Sequence, residues 1–400
     1  MTQLNFNINM DELTEAVLKS DLNHTMKSLA VLIFNAYMEA ERDGYINAGK
    51  YERNNNRIDY RNGYYTRDYT LSIGKIELQV PRTRSGEFST ALFEKYTRMD
   101  QAFVLSMAEA VVNGVSTRKV SNIVEQLCGE TVSKSFVSNT MERLDPKIDA
   151  FKGRSLTMSQ YRYVYVDAMY IKVREYHKVV SKAVYIAQGV NELNKREIIG
   201  FKVSDQESKS AWQAFFKDLR ARGLTTPKLI ISDAHEGLKN AISEEFVGSS
   251  WQRCTVHLLR NIIEKMPKKN SVEERQLVRK IFRSRTLQEA KERRVEFESL
   301  VKDNHRYKEA LKTLDGGFED GLQYLNEPEP YHVNLRTTNS LERINREIRR
   351  REKVVSIFPN NHSAERLIGA ILLDIHSNWE KSNHKYLRDD YGRYDLTRNN

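Results

Sequence analysis

The sequence predicts an α/β protein whose core is a mixed sheet. A mainly helical region that contains a small β segment precedes this core. From Tyr161 onward, short apolar runs alternate with amphipathic runs in the order β-β-β-α-β-α-β-α. Three opening strands with tight connections are typical of an antiparallel meander, and later strands separated by helices are typical of parallel crossovers. The chain has 400 residues, of which 40% are hydrophobic. Such a chain can form about two to three domains, each with its own apolar core.

The N-terminal elements follow from local periodicity. Apolar residues at three- and four-residue steps predict a helix over residues 10–43. The polar stretch 42–62 lacks this pattern and is interpreted as a linker or a surface arm. Strict alternation over residues 69–80 predicts two short strands with a turn at Gly74, ended by Pro81.

Residues 99–144 predict further helices, including a helix-turn-helix. Two short amphipathic helices joined by a turn at Gly129 have this form, and an ordinary helical hairpin is the alternative. Ser116 or Thr117 would cap the first helix, and Ser133 would open the second. The residues expected to face inward are Val120, Ile123, Val124, Leu127, Phe136, Val137 and Met141. Those expected to face outward near the start of the second helix are Lys134, Ser135, Ser138 and Asn139.

Composition limits the class of protein. Lys and Arg number 64 against 54 Asp and Glu, and the resulting net charge of +10 indicates a polyanionic partner, most often nucleic acid. The apolar content and the low numbers of Pro and Gly exclude disordered and collagen-like chains. Cys128 and Cys254 are too few for a disulfide framework, which favours a reducing compartment. The polar start and the short apolar run over 29–34 predict a soluble, cytoplasmic protein with no membrane partner.

Two aspartates carry the predicted chemistry. Asp167 lies inside an otherwise apolar strand, where a charge is unfavourable unless it is paired or binds a cation. Asp233 ends the strand IISD, at the edge where open α/β sheets place their sites. A strand-end Asp can also simply cap the following helix. Together, however, the two aspartates match the layout of the ribonuclease-H-like fold, in which their strands are neighbours and both carboxylates meet.

A third carboxylate is expected on a late helix, and Glu342 in NSLERINREIRRRE meets that expectation. The spacing from Asn339 to Glu342 also fits a capping box, which is the alternative role for this glutamate. Glu347 and Glu352 are the other candidates for the third carboxylate. They are weaker candidates because Arg residues lie three or four positions from them, the spacing of salt bridges along a helix. The buried stripe is expected to be Leu341, Ile344 and Ile348. The adjacent face carries Glu342, Asn345, Arg346 and Arg349.

Three carboxylates of this kind can hold two metal ions about 4 Å apart, clamping the attacking and leaving oxygens of a phosphoryl transfer. Oxygen ligands predict Mg²⁺ or Mn²⁺ rather than zinc. Cys254 and His257 form a C-x₂-H pair, which is not a zinc site by itself because no second pair of ligands is near. We interpret it as a small buried Cys and a His in a first helical turn. His257 and His235 can also contact a phosphate near the metals.

These residues lie in a chain that resembles, along nearly its whole length, the Mutator-type transposases of bacterial insertion sequences, relatives of the plant Mutator elements. By this resemblance, the family's Asp-Asp-Glu (DDE) triad falls on Asp167, Asp233 and Glu342, and the helical stretch from about 267 to 330 is an all-α insertion in a ribonuclease-H-like core. The resemblance also implies that the element's ends are joined into a circular intermediate. The stretches that carry it are RNGYYTRDYTLSIGKIELQVPRTRSGEF, GVSTRKVSNIVEQLCGETVSKSFVS, VDAMYIKVRE, REIIGF, ISDAHEGL, SWQRCTVHLLRNI, TTNSLERINREIRRREKVVSIFPN and SAERLIGAIL.

Seven segments follow from these patterns and the resemblance. They are an N-terminal helical region and linker (1–62), a small β segment (63–98), a helix-turn-helix DNA-binding region (99–150), the first part of the catalytic core (151–266), the all-α insertion (267–333), the last part of the core with its Glu helix (334–380) and a polar tail (381–400).

The predicted function is that of a DNA transposase. Its N-terminal half would bind the terminal inverted repeats, and its core would nick the element's ends and join the freed 3′-hydroxyl to target DNA by transesterification. Because two ends must be held together, a homodimer or a larger assembly on DNA is expected. A ribonuclease-H-like nuclease or resolvase and a non-catalytic DNA-binding regulator are the alternatives. The residues expected to contact DNA are Arg118, Lys119, Lys134, Ser138, Arg346, Arg349, Arg350 and Arg351.

Overall fold

The computed structural model describes residues 22–52, 55–71, 73–93, 101–128, 132–269 and 271–388. The chain divides between Arg143 and Leu144 into two compact units, each described by itself below. Among the described residues, no helix is both long enough and apolar enough to cross a membrane.

The first unit begins with a helix that packs on a β-hairpin. The apolar cluster between them contains Met38 of the helix and Leu78 of the hairpin, both fully buried. The helix continues to Ile46 rather than ending at residue 43, and its predicted part before Leu22 lies outside the described residues. The elements are α1 (Leu22–Ile46), β1 (Arg61–Leu71) and β2 (Gly74–Thr83).

Pro81 does not end β2, contrary to the prediction. The strand continues to Thr83, and Pro81 lies opposite Tyr64 of β1. As the described part of this sheet has two strands, each strand has an outer edge where the missing N–H of a proline removes no ladder hydrogen bond. The predicted alternation is confirmed, since Ile76 and Val80 are buried on the same side of β2.

Three short helices complete the first unit, and both predicted caps form. The Ser116 hydroxyl accepts the N–H of Lys119 at 3.2 Å, and the Ser133 hydroxyl accepts the N–H of Phe136 at 3.0 Å. The predicted helix stop at Gly129 lies outside the described residues. The helices are α2 (Gln101–Val112), α3 (Thr117–Cys128) and α4 (Lys134–Thr140).

The inward faces of α3 and α4 are narrower than predicted. Ile123 and Phe136 are 39% and 38% exposed, because each lies beside a buried position and outside the stripe that these short helices bury. The side chain of Leu127 lies outside the described part of the chain. The predicted inward residues that are buried are Val120, Val124, Val137 and Met141.

A five-stranded mixed sheet is the centre of the second unit. Its strands are β3 (Tyr163–Glu175), β4 (Lys178–Val190), β5 (Arg196–Ser204), β6 (Leu229–Ser232) and β7 (Ser250–Arg253). The order across the sheet is β5-β4-β3-β6-β7. The first three strands form the predicted antiparallel meander, and β6 and β7 run parallel to β3, so the predicted directions are confirmed.

Two helices cover one face of this sheet with an aromatic core. Trp212 is fully buried in a cluster that includes Val164 and Val166 of β3. Because side chains alternate along a strand, Tyr165 and Asp167 face the opposite side. The two covering helices are α6 (Lys209–Ala221) and α7 (Glu236–Glu245). Before them in the chain, α5 (Asp145–Gly153) precedes the sheet.

Helices fill the chain between β7 and the last core segment. Gln252 of β7 is the link to them, since its side chain donates to the Gly321 carbonyl at 2.9 Å and accepts the Tyr324 N–H at 2.8 Å. The helices are α8 (Thr255–Glu264), α9 (Val272–Ile281), α10 (Leu287–Val301), α11 (Lys308–Asp315) and α12 (His332–Leu335). Short 3₁₀ turns lie at Met141–Leu144, His305–Tyr307, Gln323–Asn326 and Glu329–Tyr331.

Two long helices return to the sheet at the end of the described chain. They are α13 (Asn339–Val355) and α14 (Asn361–Lys381). On the face opposite the aromatic core, Phe151 of α5 packs against Phe201 of β5 and His376 of α14. This packing fixes the C-terminal helices on the side of the sheet to which Asp167 points.

Candidate active site

Adjacent parallel strands bring the two predicted aspartates to one level of the sheet. Tyr163 pairs with Leu229 in the β3–β6 ladder, and Asp167 and Asp233 each lie four residues further along their chains. Equal steps along parallel strands keep two side chains level and on the same face. Asp167 is midway along the long β3, whereas Asp233 directly follows the short β6.

Asp167 is partly buried and held by two hydrogen-bond donors. Its Oδ1 accepts the N–H of Ala168 at 2.9 Å, and its Oδ2 accepts the side-chain amide of Asn345 at 2.7 Å. Burial, and then the negative charge of Asp233, raise the pKa of Asp167 to about 7, although both donors oppose this shift. The two carboxylates therefore repel each other in a setting that favours a bound cation.

His257 lies between Asp233 and Glu342. It belongs to the first turn of α8, which starts two residues after β7. Its Nδ1 contacts Oδ1 of Asp233 as an ion pair, and its Nε2 lies 3.4 Å from Oε1 of Glu342. Contact with the Asp233 carboxylate, and then with the Cys254 sulfur, raises the pKa of His257 to about 10. The protonated imidazole thus joins the two carboxylates.

Glu342 enters this cluster from the N-terminal part of α13. The predicted buried stripe of that helix is confirmed for Leu341, Ile344 and Ile348. The capping-box alternative is not found, because Asn339 is the first helical residue and Thr338 is the cap. The carboxylate of Glu342 faces His257 instead.

The competing glutamates of α13 are engaged in ion pairs on the helix itself. Glu347 contacts Arg351 and lies 3.3 Å from Arg350, and Glu352 lies 4.0 Å from Arg349. Salt bridges at these spacings agree with the interpretation from the sequence. Neither residue has a described contact with the aspartates.

The predicted DNA contacts on α13 divide by exposure. Arg346, Arg349 and Arg350 are exposed. Arg351 differs from the expectation: it is only 7% exposed, and its guanidinium binds Glu347. It lies one turn from the buried stripe position Ile348, so the helix turns it inward. In the first unit, the four predicted DNA contacts are all exposed, namely Arg118, Lys119, Lys134 and Ser138.

Cys254 and His235 have separate structural settings. Cys254 is fully buried between β7 and α8, and its Sγ accepts the N–H of Thr338 at 3.5 Å and the Thr338 hydroxyl at 3.3 Å. His235 is the N-cap of α7, where Nδ1 accepts the N–H of Leu238 at 3.3 Å and lies 3.5 Å from Glu207. His235 is therefore a helix cap, whereas Cys254 borders the acidic cluster.

The sequence placed His257 near the metals as a possible phosphate contact and Asn345 on the helix face of Glu342, but it did not predict their contacts with the carboxylates. Asn345 lies one turn after Glu342 on the helix face that carries that glutamate, and this spacing was the available signal. His257 lies in the C-x₂-H pair just after a strand that ends at the same edge as Asp233. Neither signal reveals the side-chain direction that brings these residues to the carboxylates.

The fold and the site define an α/β protein with a carboxylate–histidine cluster at the carboxyl edge of its sheet. Residues 1–382 match the profile of the family described as "Transposase, Mutator family", and the chain belongs to this family. It is 46% identical over 390 residues to the transposase for insertion sequence element IS256 in transposon Tn4001 from Staphylococcus aureus, covering 98% of this chain and 100% of that protein.

Two further relatives extend the comparison to other bacteria. The transposase for ISRM5 from Rhizobium meliloti is 42% identical over 358 residues, covering 90% of this chain and 89% of that protein. The transposase for IS1081 from Mycobacterium tuberculosis is 35% identical over 363 residues, covering 88% of this chain and 85% of that protein. The resemblance inferred from the sequence is confirmed, and transposition, a reaction of DNA, is the process in which this family acts.

Proposed function

We propose that this chain is a DNA transposase that cleaves the ends of its element and joins them to DNA at a metal-dependent site. The observation that carries the proposal is the level placement of Asp167 and Asp233 on adjacent parallel strands, with Glu342 reached through His257. The mixed strand order supports a ribonuclease-H-like core, interrupted by the helices between β7 and α13. Family membership supports the same reaction class.

The donor set of the site suits Mg²⁺ or Mn²⁺. Asp167, Asp233 and Glu342 offer carboxylate oxygens from two strands and one helix. The repulsion between the two aspartates, which contributes to the raised pKa of Asp167, is relieved by a divalent cation. Two such ions, held by these three residues, would supply Lewis-acid stabilisation of the phosphoryl oxygens.

The protein residues have complementary tasks in this proposal. Asn345 donates to Oδ2 of Asp167 and so fixes the orientation of that carboxylate. His257 holds Asp233 and Glu342 at a common point through its two ring nitrogens. These contacts preorganise the acidic cluster before DNA arrives, which is the main protein contribution to a phosphoryl transfer.

DNA binding is proposed for two exposed cationic surfaces. In the first unit, the start of each helix of the α3–α4 pair presents polar or cationic side chains, which supports binding to the terminal inverted repeats. On α13, exposed arginines follow Glu342 along the helix, a placement that suits the phosphate backbone near the cleaved bond. The protein would act as a homodimer or larger assembly, since two DNA ends must be joined.

A strand-transfer assay with Glu342→Gln tests the proposal. Purified protein, Mg²⁺ and labelled DNA carrying the element's own end should give joined products with the wild type and none with the variant. Glu347→Gln is the matched control, since this glutamate lies on the same helix but pairs with arginines, and it should remain active. End binding, measured by gel shift, should be equal in all three proteins.

Other results would redirect the assignment. Cleavage without joining by the wild type would indicate a nuclease or resolvase. End binding without cleavage would indicate a regulator. Equal activity in Glu342→Gln would mean that another residue supplies the third carboxylate.

A further inference from the structure

Cys254 lies beside Asp233 because β6 and β7 are parallel neighbours. Ser232 pairs with Arg253 in the ladder, and the N–H of Cys254 donates to the Ser232 carbonyl at 2.8 Å. The next residue of each strand, Asp233 and Cys254, therefore reaches the same level at the edge of the sheet. A carboxylate oxygen of Asp233, Sγ of Cys254 and a ring nitrogen of His257 all lie within 4.8 Å of one another.

Of these three atoms, the Cys254 sulfur has no task in the proposed magnesium site. Mg²⁺ takes oxygen ligands, whereas a thiolate and an imidazole next to a carboxylate are the ligands of Zn²⁺. Asp233 Oδ1 and His257 Nδ1 are both buried and contact each other as an ion pair. Their contact does not have the alignment of a hydrogen bond, and neither atom has a hydrogen bond to another described residue. Two buried polar atoms without a hydrogen bond therefore face the Cys254 sulfur.

Both nitrogen and sulfur donors are oriented by further contacts, as in metal centres. Metal-binding histidines commonly direct their second ring nitrogen to a carboxylate, and His257 directs Nε2 to Glu342 at 3.4 Å. The sulfur of Cys254 accepts the N–H and the hydroxyl of Thr338, and these two contacts fix its position. In the sequence, the C-x₂-H pair is not a zinc site by itself because no second pair of ligands is near, and the fold now supplies Asp233 as a third ligand.

We propose that Asp233, Cys254 and His257 bind one Zn²⁺ with an open fourth position, and that this ion excludes the catalytic arrangement because it takes Asp233. The zinc site is thus an inhibitory site built into the catalytic edge of the sheet. Only this inhibition rests on the proposed function, since zinc binding itself is independent of transposition.

Metal binding by the full-length chain tests the site. Wild-type protein stripped of metal should bind about one Zn²⁺ or Co²⁺ per chain, and the Co²⁺ form should show thiolate charge-transfer absorption and the visible bands of a tetrahedral site. Cys254→Ser and His257→Gln should lose this binding. Cys128→Ser is the matched control and should retain it. Thr338→Val, which removes one bond to the sulfur, should weaken zinc affinity by about tenfold.

Three results would overturn the site. They are equal Co²⁺ absorption in Cys254→Ser, loss of that absorption in Cys128→Ser, and a wild type that binds no more zinc than Cys254→Ser. Circular dichroism of the stripped proteins shows whether each variant is folded. Because Cys254 and His257 are tested separately, misfolding of one variant leaves the other as the decisive measurement.

The inhibitory role has its own test. Micromolar Zn²⁺ added to the Mg²⁺-dependent strand-transfer assay should stop joining by the wild type, and a zinc chelator should restore it. Zinc binding without inhibition would overturn the competition for Asp233. Absence of joining under all conditions, together with intact zinc binding, would instead contradict the proposed function and leave the zinc site standing.

Discussion

The two faces of the central sheet bury different chemistry. On one face, Trp212 of α6 lies in an aromatic and aliphatic core against Val166. On the other, at the carboxyl edge, Asp167, Asp233 and His257 form a charged cluster. Val166 and Asp167 are consecutive residues of β3, so the alternation of a single strand separates the core from the site. Stability and reactivity should therefore respond to different substitutions.

The largest expected effect follows from Asp167→Asn. Loss of this carboxylate should lower cleavage and strand transfer by about 10³-fold or more, the upper range for one preorganised electrostatic group. Folding should be retained, because the variant removes the repulsion with Asp233 and keeps a side chain of similar volume. Gel assays of joined DNA measure the first effect. In thermal unfolding, Mg²⁺ should raise the Tm of the wild type and not that of the variant.

Asp218→Asn on α6 is the control for that experiment, since Asp218 is exposed and pairs with Arg222. It should match the wild type in joining and in its response to Mg²⁺. Cleavage by Asp167→Asn would show that the carboxylate edge of the sheet is not the reactive region.

Trp212→Ala should have the opposite signature on the other face. Removing this fully buried ring should lower the free energy of unfolding by about 3–5 kcal/mol. Strand transfer per folded molecule should be unchanged at a temperature where the variant is folded. Denaturant titration measures the first quantity and active-fraction assays the second. The exposed Lys217 of the same helix is the control, and Lys217→Ala should change stability by less than about 0.5 kcal/mol.

A smaller effect is expected from Asn345→Ala, because Asn345 acts on the site only through Asp167. Joining should fall by about 10–100-fold, the usual range for residues that orient a metal ligand. The Mg²⁺ concentration needed for half-maximal joining should rise, which a purely structural defect does not cause. Asn378→Ala on α14, where Asn378 bonds only to Asp374 among described side chains, should leave both quantities unchanged. An unaltered Mg²⁺ requirement in Asn345→Ala would remove Asn345 from the site.

The sequence predicted the sheet well because its signals are local. Strand alternation, helix periodicity and the two aspartates at strand positions are properties of short windows, and the parallel register then determines that Asp167 and Asp233 meet. Glu342, the proposed third carboxylate, could be predicted because a helix face is readable from spacing. These parts of the site depend on backbone geometry alone.

What the sequence did not predict depends on side-chain direction and on neighbours distant in the chain. The contact of His257 with Asp233 requires α8 to start at the edge where β6 ends. The exposure of Phe136 depends on how much of the surface of α4 the neighbouring short helices cover. The inward turn of Arg351 depends on the partner that Glu347 provides within a crowded run of charges. The first two are not encoded in a periodicity, and the third is encoded only in part, since helix spacing places Arg351 one turn after the buried Ile348.

The smallest expected effects distinguish two arginines of α13 that lie five residues apart and that the sequence equally predicts as DNA contacts. Arg346→Gln should weaken end binding severalfold and lower the slope of log affinity against log salt by about 1, since an exposed arginine contributes one phosphate contact. Arg351→Gln should leave that slope unchanged. It should lower the free energy of unfolding by about 1 kcal/mol, because it removes the ion pair between the largely buried Arg351 guanidinium and the half-exposed Glu347 carboxylate. Fluorescence anisotropy over a salt series and denaturant titration measure the two quantities. A reduced salt slope in Arg351→Gln would place that arginine on the DNA and show that α13 turns when DNA binds.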